Sequence, residues 1–164
     1  MDTDSESDDM KLNIGEQLTK KYFWFLVDKY GMKYEKYTFR SKKMLIEVQV
    51  GHKTPRVVFN KVGEPDPQLF YLELDWVIAF LHGTFPNANH DYLMYSLEEN
   101  IIFVSKMFRE NSDKLIKEFD SWWIPVHVFI YKWMERKARE EGRLEGFYKT
   151  DKYYSDYLKS KGAL

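Results

Sequence analysis

The side chains that most often carry chemistry are thinly spread in this chain. Its four histidines, His52, His82, His90 and His127, fall in a turn, at a helix end, in a loop and in a helix. No two are spaced i,i+4 and there is no HExxH, so nothing sets two imidazoles on one helix face around zinc. His90 and Asp91 form a His-Asp pair of the kind metal-dependent phosphohydrolases use. The further histidines and aspartates that such a centre needs cannot be placed at matching positions, which leaves a polar loop or a helix cap. The chain has no cysteine. That excludes a disulfide framework, a Cys-ligated zinc site and a thiol nucleophile. GxGxxG, GxxxxGK[ST] and GxSxG are absent, and Ser41, Ser96, Ser105 and Ser121 sit in no nucleophile elbow. Glu98 and Glu99 are adjacent on a helix and point about 100° apart, so they do not converge as an acid/base pair. The expectation is a binding protein, not an enzyme, with no metal and no cofactor.

The residues suited to binding are different ones. Glu64 and Asp66 flank the prolines of "GEPDPQ" and are expected to be exposed. Glu98 and Glu99 belong to a solvated helix face. Trp122 and Trp123 are neighbours, and adjacent helix positions cannot both point at the same core. One of them could meet a second surface: a partner, a dimer interface or a docked C-terminal tail. The alternative buries both between layers. The C-terminal "KWMERKAREEGRLEGFYKTDKYYSDYLKSK" interleaves bases with tyrosines, as single-strand binders do. Its many acids instead mark a solvated, salt-bridged helix, and a net charge of -1 gives no electrostatic case for nucleic acid.

Elements must hold these residues in place. With 164 residues, 44% hydrophobic and 18% aromatic, the chain has material for one domain with a ring-rich core. Residues 1–10 carry five acids and no base, and read as a disordered acidic tail. From Leu12, the residues Ile14, Leu18, Tyr22, Phe25 and Leu26 recur at helical spacing, and Gly31 follows as a C-cap. "MKYEKYTFR", "MLIEVQV" and "RVVFNKV" alternate as strands of a meander, with Phe70-Tyr71-Leu72 as a possible fourth strand. Asp75 is expected to cap a short helix ending at Gly83. Asp91 is expected to cap one running to about residue 110, with Leu93, Leu97, Ile101, Val104 and Phe108 inward. A further helix from Ser112 or Asp113 must kink or end at Pro125. The expected architecture is α+β: an N-terminal helix, a three- to four-stranded antiparallel meander, and C-terminal helices packed on one sheet face. The single domain spans 11–145, and 146–164 form a tail, docked or mobile. No apolar run approaches the ~20 residues a membrane span needs, and the acidic start lacks a signal sequence. The expected location is the cytoplasm.

Laid out in this order, "KKYFWFLVDKYGMKYEKYTF", "LIEVQVGHKTPRVVFNKVGE", "LDWVIAFLHG" and "SLEENIIFVSKMFRENSDKLIKEF" resemble a group of small bacterial proteins. In that group an "FxFLxxxYGF" helix end leads into strands, a short helix and a closing helix pair. Several look like immunity proteins encoded beside polymorphic toxins. The resemblance covers roughly residues 20–120, and Met32 stands where the group usually has Phe. It implies an antitoxin that neutralises a cognate toxin by direct binding. The candidate contacts, chosen on the residues themselves, are Glu64, Asp66, Glu98, Glu99, Trp122 and Trp123. The acidic elements would suit a basic toxin such as a nuclease. An adaptor or regulatory subunit of another bacterial or phage system is the alternative.

Overall fold

The computed structural model describes residues 14–51, 53–64 and 70–164. The acidic tail, His52 and the loop of Pro65 and Pro67, with Asp66, lie outside them. Helix α1 covers 14–23 and α2 covers Phe25–Asp28. Five strands follow: β1 (Lys33–Glu35), β2 (Thr38–Arg40), β3 (Met44–Gln49), β4 (Arg56–Lys61) and β5 (Leu72–Glu73). They form one antiparallel sheet in sequential order. The helical part contains α3 (Leu74–His82), a single 3-10 turn (Tyr92–Met94), α4 (Leu97–Glu110), α5 (Ser112–Lys117), α6 (Phe119–Glu140), α7 (Leu144–Thr150) and α8 (Lys152–Ser160). Among the described residues the fold is therefore α+β.

The sheet has five strands, where three or four were expected, because "MKYEKYTFR" is a hairpin. Lys33 faces Arg40 and Glu35 faces Thr38. The two linking residues, Lys36 and Tyr37, both have positive φ, 42° and 63°. That is the backbone of a tight hairpin turn, usually signalled by Asn-Gly or Asp-Gly. Here the turn is held by its surroundings: Tyr37 N–H donates to Tyr34 Oη at 3.1 Å, and Tyr37 C=O accepts from Val48 N–H at 2.9 Å.

One row of side chains crosses all five strands, from Tyr34 through Phe39, Ile46 and Phe59 to Leu72. Phe59, near its centre, is fully buried, with Phe108 of α4 at 5.7 Å and Trp122 of α6 at 5.3 Å. Phe108 in turn meets Phe23 and Phe25. Rings thus connect sheet, amino-terminal helices and carboxy-terminal helices. Leu45, Glu47 and Gln49 alternate outward and stay half-exposed.

Several helical expectations shift. The first helix is interrupted at Trp24, and its most buried residues are Phe23 and Leu26, while Ile14 is exposed. Gly31 does leave the helix, at φ 68°, with its N–H on Val27 C=O. Asp75 lies inside the first turn of α3, whose N-cap is Glu73. Asp91 caps only the 3-10 turn, and α4 begins later, at a capping box of Ser96 and Glu99. Leu93 therefore falls outside α4 and points away from the core.

Helix α6 continues through Pro125 without ending there. Proline removes one hydrogen bond to the carbonyl four residues earlier, here that of Ser121. Both residues are exposed, so water can take the freed carbonyl. Beyond α6, the tail is docked. Phe147, Tyr157 and Leu158 are buried with Phe70, Tyr131 and Ala138 in a second apolar cluster.

Candidate partner-binding surface

The loop from α3 to α4 carries the most exposed apolar side chains of the described residues. Leu93 and Met94 are 75% and 76% exposed, and Tyr95 beside them is 42% exposed. Single exposed apolar residues are ordinary, but three in succession are not.

This ridge is held by buried polar contacts beneath it. Asn100, on the first turns of α4, is fully buried. Its Nδ2 donates to the carbonyls of Lys53, at 2.5 Å, and Tyr92, at 2.9 Å. Both amide protons are thereby used, so its Oδ1 is an acceptor. His90 Nε2 lies 2.9 Å from that oxygen and must carry a proton to donate. The imidazole is sandwiched between Phe103, with centroids 3.8 Å apart, and Tyr95, at 4.7 Å, and Tyr92 meets its edge. Asp91 closes the turn by accepting the N–H of Leu93 at 3.0 Å. A loop tied down in this way presents its apolar tip already ordered, which lowers the entropy cost of docking.

Two of the candidate contact residues sit just after the ridge. Glu98 is exposed and accepts from Tyr22 Oη at 2.6 Å and from Lys21 at 3.3 Å. The Tyr22 hydrogen bond, and after it Lys21, hold its carboxyl below the usual range. Glu99 is exposed and spends one oxygen on the Ser96 N–H.

The other candidates lie elsewhere. Glu64 was expected at the surface, but its side chain is only 6% exposed and is paired with Lys161 at 3.3 Å. The docked C-terminal segment covers it. Trp122 and Trp123 are both buried, at 2% and 0% exposure. Trp122 faces Phe59 and donates its indole N–H to the carbonyls of Lys114, at 3.1 Å, and Leu115, at 3.3 Å. Trp123 packs in the same cluster against Phe119 and donates its indole N–H to Tyr157 Oη of α8 at 3.3 Å. The second surface that a Trp-Trp pair demands is thus the protein's own α8, and neither indole is accessible to a partner. Asp66 lies outside the described residues.

Comparison with protein-family models, curated proteins and solved structures finds no match. What the chain can do must be read from its own geometry.

The three described histidines do not converge. His82 pairs with Asn111 at 2.6 Å, His90 with Asn100 and His127 with Tyr154. Among the described residues no group of three His, Asp or Glu is placed to hold a metal ion, and no helix is long and apolar enough to cross a membrane.

The ridge itself was missed in the sequence. The helical spacing of Leu93 from Leu97 and Ile101 predicts a place in the core stripe. The signal for the true boundary was Ser96 followed three residues later by Glu99, a capping box that outranks the earlier Asp91.

Proposed function

We propose that the protein is a non-catalytic protein-binding module of the immunity type, which neutralises a toxin encoded beside it by direct binding. The resemblance over residues 20–120 suggests the class. The observation that carries the reading is the ridge Leu93-Met94-Tyr95: exposed, apolar and ordered in advance by Asn100 and His90. Asp91 and Glu99 border it in sequence, with Glu98, next to Glu99, paired to Lys21. Carboxylates around an apolar anchor favour a partner with a basic surface and speed its capture.

The test is co-expression of the full chain with the product of the neighbouring gene. The expected outcome is rescue of growth and a stable complex on gel filtration. Leu93→Ser with Met94→Ser should abolish both while leaving the melting temperature unchanged, because these side chains have few interior contacts to lose. A double variant that still rescues removes the ridge from the interface. Absence of any rescue by the unmodified chain ends the immunity reading.

A further inference from the structure

A cavity of about 330 Å³ lies where β5, α3, α6 and α8 meet. We infer that it binds an organic monocation: the side chain of a lysine or arginine, or a methylated ammonium group. The lining is dominated by rings. Phe70, Tyr71, Trp76, Tyr153 and Tyr154 all border the cavity, with Ile130 and Met134 of α6 as its aliphatic wall. Tyr71 and Tyr153 are exposed and leave the cavity accessible from solvent. Aromatic faces attract a cation through their quadrupole, and an apolar wall accepts its alkyl stem.

The charges of the lining decide the class of ligand. Among the described residues two carboxylates border the cavity, Glu73 and Asp151, and the basic group of Arg56 is not in the lining but is held at its edge by Glu73 and Tyr71. Glu73 is already neutralised by Arg56. Asp151 makes no ion pair and no side-chain cap bond among the described residues. One uncompensated carboxylate in an aromatic pocket matches a ligand with a single positive charge and an apolar stem. It disfavours anions such as phosphate, because the guanidinium at the edge of the described lining, that of Arg56, is already paired with Glu73. The volume falls in the range of small-ligand sites.

The pocket shares no residue with the Leu93 ridge, so this inference stands or falls apart from the toxin reading. The experiment is NMR titration of the full chain, following the indole N–H of Trp76, with Nα-acetyl-lysine amide, Nα-acetyl-arginine amide and tetramethylammonium. Nα-acetyl-norleucine amide is the uncharged control. The expected result is saturable shifts with at least one cation, with little response to the control. Asp151→Asn, which removes the charge without removing a cap, should weaken binding about five- to tenfold. Tyr153→Ala gives a second variant, at an exposed ring, and should weaken it similarly. Equal binding of the norleucine control, an unchanged affinity in Asp151→Asn, or no saturable shift with any cation would each overturn the proposal.

Discussion

Asn100 shows how much a single buried amide can organise. Its three polar contacts join the loop before β4, the carbonyl of Tyr92 and the ring of His90. Asn100→Ala would leave two carbonyls and an imidazole N–H without their partner in a buried place. Each such loss costs about 1–3 kcal/mol. Because all three contacts are only part-buried, the expected outcome lies at the low end of their sum, a fall in unfolding free energy of roughly 3–4 kcal/mol by urea denaturation. Faster amide exchange between His90 and Tyr95 should accompany it. Asn100 has no distinguishing mark in the sequence, where it reads as one more polar residue of "LEEN". Its role appears only when residue 53, which is 47 positions away, is brought beside it by the fold.

At the scale of elements, the contact of α6 with α8 turns on His127. Its ring is buried against Trp123, Tyr154 and Tyr157. Nδ1 lies 2.5 Å from Tyr154 Oη, and the same phenol donates to the His127 carbonyl at 3.2 Å. Both bonds are made together only if Nδ1–H donates to the phenol oxygen while the phenol O–H donates to the carbonyl. Nε2 is then the bare nitrogen, and it is buried without a partner. Burial lowers the His127 pKa from 6.5 to about 3, and burial also pushes the Tyr154 phenol up. A histidine with a depressed folded-state pKa takes up its proton more readily when unfolded. Its neutral form therefore supports the fold fully above pH 6.5, and that support drains away as pH falls from 6.5 towards 3. The slope is up to about 1.4 kcal/mol per pH unit. Urea unfolding measured across this window should show the loss in the unmodified chain and a flatter profile in His127→Phe. Equal profiles would mean that the ring is not buried neutral. The C-terminal helices were expected only as a tail, docked or mobile, because α7 and α8 are short and heavily charged. What anchors them is a handful of tyrosines whose partners are Phe70, just before β5, and Trp123, His127 and Tyr131 on α6.

For the molecule as a whole, the ring-lined core is the main source of cohesion. Phe59 joins the sheet to α4 and α6 through Phe108 and Trp122. Phe59→Ala should cost about 3–5 kcal/mol, a large share of the 5–15 kcal/mol by which domains are usually stable. The check is a single cooperative transition at lower temperature, seen equally by far-UV dichroism and by tryptophan fluorescence. If only one probe moves, the two apolar clusters do not unfold as a unit.

The strands β3 and β4, the helix of α3 with its stop at Gly83, and the inward stripe of Ile101, Val104 and Phe108 could all be read directly from the sequence. Their signals are local: alternation, helical spacing and a glycine that tolerates a left-handed backbone. The acidic residues Glu98 and Glu99 were likewise visible as an exposed helix face. The hairpin at Lys36-Tyr37, the burial of Glu64 beneath Lys161, the fate of Trp122 and Trp123 and the exposure of Leu93 were decided only by the tertiary structure. Each depends on a contact between segments distant in the chain. Local pattern constrains which residues can share a face, but it does not say which other segment will cover that face. Here α8 covers one tryptophan and the Phe59 row the other, and the apolar side chains left most exposed are Leu93 and Met94.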